Sequence, residues 1–335
     1  MTESLQRLTE FGIIGLFSQQ VGARPPWVST GIGDDCAVLD LGGEKRLLVT
    51  CDMLVEGVHF LSDRISPRQL GQKSIAVNAS DIAAMGGEPL AAFLGLGLTP
   101  QTSAEFVRTF RDGLLDGCRE LGVELLGGDT VATRTDLAVS ITLLGQVRAE
   151  EVVLRSGARP GDLLFLGGNV GDSAAGLRLL LHPDLILPPE HREALLRAHL
   201  EPRPQLRLGR FLASHRLAHS LIDVSDGLLQ DLGHICASSG VGARVDCARL
   251  PISVSATEAA SRSGLDPRDF ALYGGEDYVL LFSAAPQDED QIRDGGRALG
   301  LEVHPIGEIT AEAGVSVLRD GRWVSPEREG YDHFR

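Results

Sequence analysis

Hydrophobic positions along this chain repeat with two periods. Residues 137–147 alternate apolar and polar, the pattern of a half-buried strand. Residues 36–40 and 46–52 read as two more strands around Gly42-Gly43, a hairpin with acidic residues before its first strand and at the end of its second. Helical spacing marks residues 5–17, with Leu5, Leu8, Phe11 or Gly12 and Leu16 near one face, and Arg24-Pro25-Pro26 ends that segment. Pro67 can open a helix that runs to Met85 and closes at Gly86-Gly87. An apolar strand at 90–98 and a helix near 103–121 follow.

Turn chemistry between residues 148 and 160 breaks the pattern. Beyond it come a strand at 162–166, a Gly-rich turn at 167–171 and a helix from Ser173. Helices near 190–200, 205–214 and 228–238 interleave with strands at 221–224, 243–249, 277–283 and 303–309. Such interleaving predicts an α/β or α+β fold. At 335 residues the chain exceeds one ordinary core. Two domains are therefore expected, residues 1–148 and residues 149–335.

Composition narrows the function more than the fold. The net charge of −15 argues against a nucleic-acid binder, which needs a basic patch. It fits carboxylates gathered around cations, and it equally fits an acidic surface that aids solubility. Five cysteines without a CxxC pair indicate a reducing compartment rather than a disulfide framework or a zinc ribbon. Met1-Thr2-Glu3-Ser4 is not the basic start of a signal peptide, and no stretch is long and apolar enough to span a bilayer. A cytoplasmic protein with no membrane and no nucleic-acid partner is expected.

Candidate chemistry lies in acidic residues at apparent corners. They read Gly31-Ile32-Gly33-Asp34-Asp35-Cys36, Thr50-Cys51-Asp52, Asn78-Ala79-Ser80-Asp81, Gly127-Gly128-Asp129-Thr130 and Asp223-Val224-Ser225-Asp226-Gly227. Short oxygen-bearing side chains suit Mg²⁺, which shares its shell with phosphates. The set predicts a polynuclear magnesium site that holds a nucleotide. Each corner also has a plainer reading. Asp34 and Asp35 repel unless a cation or Arg neutralises them, yet Asp favours turns through its own backbone hydrogen bonds. Asp52, after the apolar stretch 47–51, sits where α/β sheets bind ligands, or where a cap would sit. Ser74, Asn78 and Asp81 share a helix face among Ala and Ile, which predicts burial against a polar site. Glycines before Asp129 let a backbone approach a phosphate, and the helix after Gly227 could face an anion. Neither GxxxxGK[ST] nor an HRD/DFG set occurs, which excludes P-loop and protein-kinase motifs. His59 lies just after Asp52, and a lone His is more often a packing or surface residue than a catalyst.

In their joint order these segments resemble the thiamine-monophosphate kinases. The match continues through Cys51-Asp52-Met53-Leu54-Val55-Glu56-Gly57-Val58-His59-Phe60, Lys73 to Gly86, and Arg155-Ser156-Gly157-Ala158-Arg159-Pro160-Gly161-Asp162. It ends with Gly171-Asp172-Ser173-Ala174-Ala175-Gly176-Leu177, Gly274-Gly275-Glu276-Asp277-Tyr278 and Gly330-Tyr331-Asp332-His333-Phe334. The resemblance implies an enzyme that phosphorylates thiamine monophosphate with ATP, giving thiamine diphosphate and ADP. The superfamily includes aminoimidazole ribonucleotide synthetase, selenophosphate synthetase and a hydrogenase maturation protein. It implies a homodimer whose N-terminal mixed sheets pair into a barrel-like core, with a C-terminal α+β domain completing the site. Asp35, Thr50, Cys51 (through its carbonyl), Asp52, Asp81, Asp129, Asp223 and Asp226 are the magnesium ligands it implies. Gly128, Asp129, Arg155 and Ser225 would face the nucleotide, and His59 and Glu276 the substrate.

Two departures from the family pattern stand out. Arg328 occupies the place where an aromatic residue often contacts the thiamine moiety, and Trp323 is the candidate to replace that contact. Cys51 stands where Thr is common, a harmless change if only its carbonyl binds metal. The expected chemistry is direct in-line transfer without a phosphoenzyme, with Asp52 and Asp81 as central ligands and Arg155 beside the nucleotide phosphates. A selenophosphate synthetase would carry a reactive Cys near its N-terminus, and none precedes Cys36. A non-catalytic nucleotide-binding dimer would lack metal ligands, and here the set is complete.

Overall fold

A computed structural model describes residues 9–20, 22 and 24–326. The first half of the chain forms a six-stranded sheet: β1 (Val28–Thr30), β2 (Ala37–Leu39), β3 (Lys45–Val55), β4 (Glu88–Leu98), β5 (Glu124–Ala132) and β6 (Ala138–Arg148). Their order is β1-β2-β3-β6-β4-β5, antiparallel throughout except for the parallel pair β4 and β5. Along β6 buried and half-buried residues alternate, as its sequence predicts. The β2–β3 hairpin also forms as expected, but β2 pairs only as far as Val49 while β3 continues to Val55.

Three helices accompany this sheet: α1 (Glu10–Gln20), α2 (Pro67–Ala84) and α3 (Ala104–Leu121). Of the helix expected at 5–17, residues 10–17 are helical within α1, which runs on to Gln20, and residues 1–8 fall outside the described part. A capping box starts α2: the Ser66 hydroxyl accepts from the Gln69 N–H, the Gln69 side chain accepts from the Ser66 N–H, and Pro67 fills the first position. From Leu70 onward every residue of α2 except Gln72 and Asp81 is buried. The helix touches β3 and β6, α3, and part of the second half of the chain. This all-round burial explains why its sequence shows small and apolar residues rather than an amphipathic stripe.

The second half forms a seven-stranded sheet: β7 (Leu163–Leu166), β8 (Ala218–Asp223), β9 (Gly242–Asp246), β10 (Leu280–Ala284), β11 (His304–Thr310), β12 (Gly314–Arg319) and β13 (Arg322–Val324). Their order is β13-β12-β9-β11-β7-β10-β8, with β9 and β12 parallel. Helices α4 (Asp172–Leu181), α5 (Pro189–Leu200), α6 (Leu206–Ser214), α7 (Leu228–Ser239), α8 (Val254–Ser263), α9 (Pro267–Tyr273) and α10 (Glu289–Ala298) complete it. Phe165, Leu221 and Phe282 pack with Leu208 and Leu212 of α6 and Ile292 of α10. Their neighbours Leu164, Ile222 and Leu281 pack with Leu228, Leu232 and Ile235 of α7. Strand alternation thus feeds two cores, one on each face of the sheet.

The architecture is mixed α/β with two sheets, and the described residues form no closed barrel within the single chain. The first sheet leaves Cys51, Met53, Phe93, Leu126 and Val131 exposed. Two acidic corners of the sequence prove to be strand interiors. Asp52 lies within β3, which pairs with β6 from Lys45 through Val55. Asp129 lies within β5, paired in register with Gly95. The preceding Gly128 adopts φ 151°, and a Cβ there would collide with the Leu94 carbonyl. Close strand packing, not a turn, requires that glycine.

Candidate active site

Five of the predicted carboxylates meet where the two halves of the chain abut. Asp35 comes from the loop before β2, Asp52 from the middle of β3 and Asp81 from the last turn of α2. Asp223 ends β8, and Asp226 sits in the turn before α7. One oxygen each from Asp35, Asp81 and Asp223 lies within 4.8 Å of the other two. Thr50 and Asp52 share one face of β3 while Cys51 points to the exposed face, towards Ser140 and Thr142. The Thr50 hydroxyl donates to Asp81 Oδ2. The Asp52 N–H donates to Asn78 Oδ1 at 3.0 Å, so the polar face of α2 is buried against this site.

These groups lie in one another's field. Burial, then Asp226 and Asp35, raises the Asp52 carboxyl to about 6. Burial and then Asp35 raise Asp223 to about 8. Asp34 rises to about 6 through burial and the Asp35 charge. Burial raises Asp35 and Asp81 as well, with Asp52, Asp223 and Asp35 adding to the effect at Asp81. Arg155 opposes this: its Nη2 donates to Asp35 Oδ1 at 2.6 Å, and its backbone N–H donates to Asp34 at 3.3 Å. Two like charges about 4 Å apart repel by about 4 kcal/mol at an effective dielectric of about 20. One guanidinium therefore cannot offset three converging carboxylates.

Two oxygens report what is missing. Asp35 Oδ2 and Asp223 Oδ2 are buried without a hydrogen-bond partner, a state that native interiors avoid. An all-oxygen carboxylate set with unpartnered acceptors fits a hard divalent cation such as Mg²⁺. The turn that carries Asp226 is fixed from below. The buried Asp231 carboxylate accepts the N–H groups of Asp226 at 3.2 Å and Gly227 at 3.1 Å.

Beside the cluster lies a cavity of about 190 Å³. Val58, Phe60, Leu61, Leu177 and Leu181 line its apolar wall, and His59, Lys73, His199 and Glu276 its polar base. His59 Nδ1 accepts from the Val55 N–H at 3.0 Å. The Glu276 N–H donates to the Ser225 carbonyl at 2.7 Å, which joins the cavity to the turn between Asp223 and Asp226. The buried Tyr278 phenol is pushed well up, by burial first and then by the charges of Glu276, Asp52, Asp223 and Asp81.

Some predicted residues remain apart. Asp129 is exposed on β5, where its carboxylate accepts its neighbour Thr130's N–H at 2.9 Å, and Gly128 precedes it on the same strand. Neither joins the converging carboxylates. Trp323 lies on β13 against Arg244. Arg328 lies outside the described residues.

Residues 33–147 match the family model of the AIR synthase related protein N-terminal domain, and residues 159–320 that of its C-terminal domain. The thiamine-monophosphate kinase of Escherichia coli (strain K12) is 40% identical over 330 residues, covering 97% of this chain and 98% of that protein. The chain belongs to the thiamine-monophosphate kinase family. The family member from Aquifex aeolicus (strain VF5) is 35% identical, covering 98% of this chain and 99% of its own. The solved structure of AaThiL complexed with AMPPCP and TMP has a TM-score of 0.87 at 34% identity, covering 99% of both chains. The thiamine-monophosphate kinase from Stenotrophomonas maltophilia K279a has a TM-score of 0.77 at 36% identity, covering 97% of this chain and 98% of that one. The HypE–HypF complex, at 18% identity and a TM-score of 0.76, shares the fold, covering 94% of this chain and 99% of that one.

Sequence reasoning passed over Lys73, His199, Ser173 and Asp277. Lys73 did carry a signal, as a lone ammonium in the middle of a helix whose neighbours are small or apolar. Ser173 and Asp277 lie in segments that carry the family resemblance, but only the fold gives them a shared place, and His199 carried no signal.

Proposed function

We propose that this protein transfers the γ-phosphoryl group of ATP to the phosphate of thiamine monophosphate, giving thiamine diphosphate and ADP, at a site that holds several Mg²⁺ ions. The carrying observation is a buried carboxylate cluster with unpartnered oxygens, set beside a cavity that presents His59 and Glu276. Kinship with the Escherichia coli kinase and with AaThiL complexed with AMPPCP and TMP supports the assignment of both substrates.

In this reading Asp35, Thr50, Asp52, Asp81, Asp223, Asp226 and the Cys51 carbonyl hold metal, with Asp52 and Asp81 central. Asp129 is a further ligand, with Gly128 beside it on the nucleotide side. Held by these residues, Mg²⁺ would neutralise phosphate oxygens and align the reacting groups. Arg155 and Ser225 flank the nucleotide, and Arg155 supplies fixed positive charge. His59 and Glu276 orient the acceptor, and Arg328 or Trp323 is its further contact.

A phosphate monoester has a second pKa of about 6 and is mostly dianionic at neutral pH, so the acceptor needs no general base. The protein's task is to bring two polyanions together in line, which makes a phosphoenzyme unnecessary. Residues 1–148 carry most of the ligands and, through the exposed sheet face, pair two copies into a barrel-like dimer. Residues 149–335 complete the site. No described helix is long and apolar enough to cross a membrane, and the reaction is assigned to the cytoplasm.

ATP made chiral at its γ-phosphorus tests the direct step. Thiamine diphosphate with inverted configuration is expected. Retention would require a phosphoenzyme and contradict the proposal. Unphosphorylated thiamine should accept nothing.

A further inference from the structure

Lys73 is one of only two lysines in the chain. It stands in the middle of α2 with 1% of its side chain exposed, next to the buried Ser74, Ile75 and Ala76. An ammonium in such a place costs several kcal/mol unless it is well paired. Its Nζ meets three acceptors: Glu276 Oε1 at 3.0 Å, Glu276 Oε2 at 3.1 Å and the His199 carbonyl at 3.2 Å. An ammonium has three protons, so these partners saturate it.

Glu276 is the outward half of the pair, with 23% of its side chain exposed at the base of the cavity. Its Oε2 lies 3.2 Å from His199 Nδ1, and that nitrogen lies 3.0 Å from Ser173 Oγ. Burial and the Lys73 charge push His199 down to about 4, so at neutral pH it adds hydrogen bonding and no charge. Lys73 therefore balances Glu276 one to one.

The backbone is held as firmly as the side chain. Glu276 has φ 62° and Tyr278 φ 52°, a left-handed conformation that costs a non-glycine residue about 1–2 kcal/mol. Three anchors keep it there. The Glu276 N–H donates to Ser225 O at 2.7 Å and the Tyr278 N–H to Val224 O at 2.8 Å. Between them, the Asp277 carboxylate accepts the Gly171 N–H at 2.6 Å and the Ser173 N–H at 3.1 Å. Strain kept in place by several contacts marks a group that must stay in one position.

We propose that Lys73 is a positioning residue: it fixes the Glu276 carboxylate at the base of the acceptor cavity and thereby sets affinity for the cationic thiazolium-bearing acceptor, without acting on the nucleotide. The inference rests on the reading of this cavity as the acceptor site. Lys73 belongs to the cavity's base but is almost wholly buried, against 23% exposure for Glu276, and acts through that carboxylate. Charge-assisted hydrogen bonds from Lys73 reach both oxygens of the carboxylate, which stays partly exposed at the cavity base.

The test compares wild type, Lys73→Met, Lys73→Arg, Glu276→Gln and the double variant Lys73→Met/Glu276→Gln, varying thiamine monophosphate and ATP in turn. Lys73→Met should raise KM for thiamine monophosphate about tenfold or more, the loss expected when a charged hydrogen-bond partner is removed. KM for ATP should stay within about twofold, as for a site with no shared partner. Lys73→Arg should recover part of the loss. In the Glu276→Gln background the further effect of Lys73→Met should largely vanish, since the group it positions has gone. The double variant also removes the unpaired buried charge, so it should fold where the single variant does not. The proposal is overturned by an unchanged KM for thiamine monophosphate, by equal rises for both substrates, or by an undiminished effect in the Glu276→Gln background. A double variant that cannot fold would assign the pair to folding and also overturn it. A wild-type protein that turns over no thiamine monophosphate would be a different failure: it would refute the acceptor assignment and remove the basis of this inference.

Discussion

The backbone N–H of Asp52 donates to the side-chain oxygen of Asn78 at 3.0 Å, which ties the middle of β3 to the buried helix α2. β2 stops covering β3 at Val49, so no strand neighbour on that side takes up the N–H. Asn78 supplies the missing acceptor, and its own Nδ2 donates to the Ser74 carbonyl at 3.1 Å. Asn78→Ala should cost about 1–3 kcal/mol by leaving a buried donor unpaired. It should also lower kcat, because Asp52 loses its fixed place. Urea melts and steady-state rates check both effects. An unchanged midpoint together with an unchanged rate would deny the link.

Removing one carboxylate from the cluster should separate stability from activity. Asp81→Asn deletes a buried charge that Asp52, Asp223 and Asp35 all repel. The metal-free protein should melt at the same temperature or higher. The phosphoryl-transfer rate should fall by about 10²–10³-fold, the scale of losing one preorganised electrostatic contact in an active site. A large loss of stability with a small loss of rate would reverse the assigned roles.

The raised carboxyls give the metal-free protein a definite pH dependence. Asp223 and Asp277 are both held at about 8 in the folded state, against 3.8 for an ordinary Asp. Folding therefore favours their protonated forms, and that stability is lost as pH rises through 8. His199 and His234, pushed down to about 4, are neutral in the folded protein, and their unfolded forms lose the last of their charge just above pH 6.5, so they oppose the trend only weakly and only at its start. Metal-free Tm should fall from pH 6.5 to pH 9. Mg²⁺ should raise Tm more at pH 8.5 than at pH 6.5, because it competes with protons for the Asp223 site. Differential scanning fluorimetry with and without Mg²⁺ would show a flat or rising metal-free curve if the cluster is not strained in this way.

The exposed face of the first sheet predicts its own partner. Met53 is 57% exposed, Leu126 61% and Val131 54%, a concentration of apolar surface that marks an interface. Replacing Leu126 and Val131 together by Glu should convert a dimer to a monomer by analytical ultracentrifugation. A wild-type protein that sediments as a monomer would contradict the pairing.

Much of this fold can be read from the sequence where one period dominates. β6 alternates cleanly, and α2 is bounded by Pro67 and Gly86-Gly87. β5 was hidden, because Gly127-Gly128-Asp129 carries turn chemistry while the structure uses Gly128 to let a strand pass close to Leu94. Short strands such as β1 and β13 carry too little periodicity to announce themselves, and the paired glycines of α10 argue against a helix despite its amphipathic pattern. The acidic residues of the site stand out because carboxylates in apolar surroundings are costly. Their company does not. Gly275 looks like a loop glycine, yet a Cβ there would collide with the Ser225 carbonyl. That contact between the metal-side turn and the acceptor-side loop exists only in three dimensions.

The most direct test of the account counts ADP and thiamine diphosphate in one reaction containing ATP and thiamine monophosphate, with and without Mg²⁺. Equal amounts of the two products, formed only with the metal, are predicted. ADP without thiamine diphosphate, or transfer that persists in excess chelator, would contradict it.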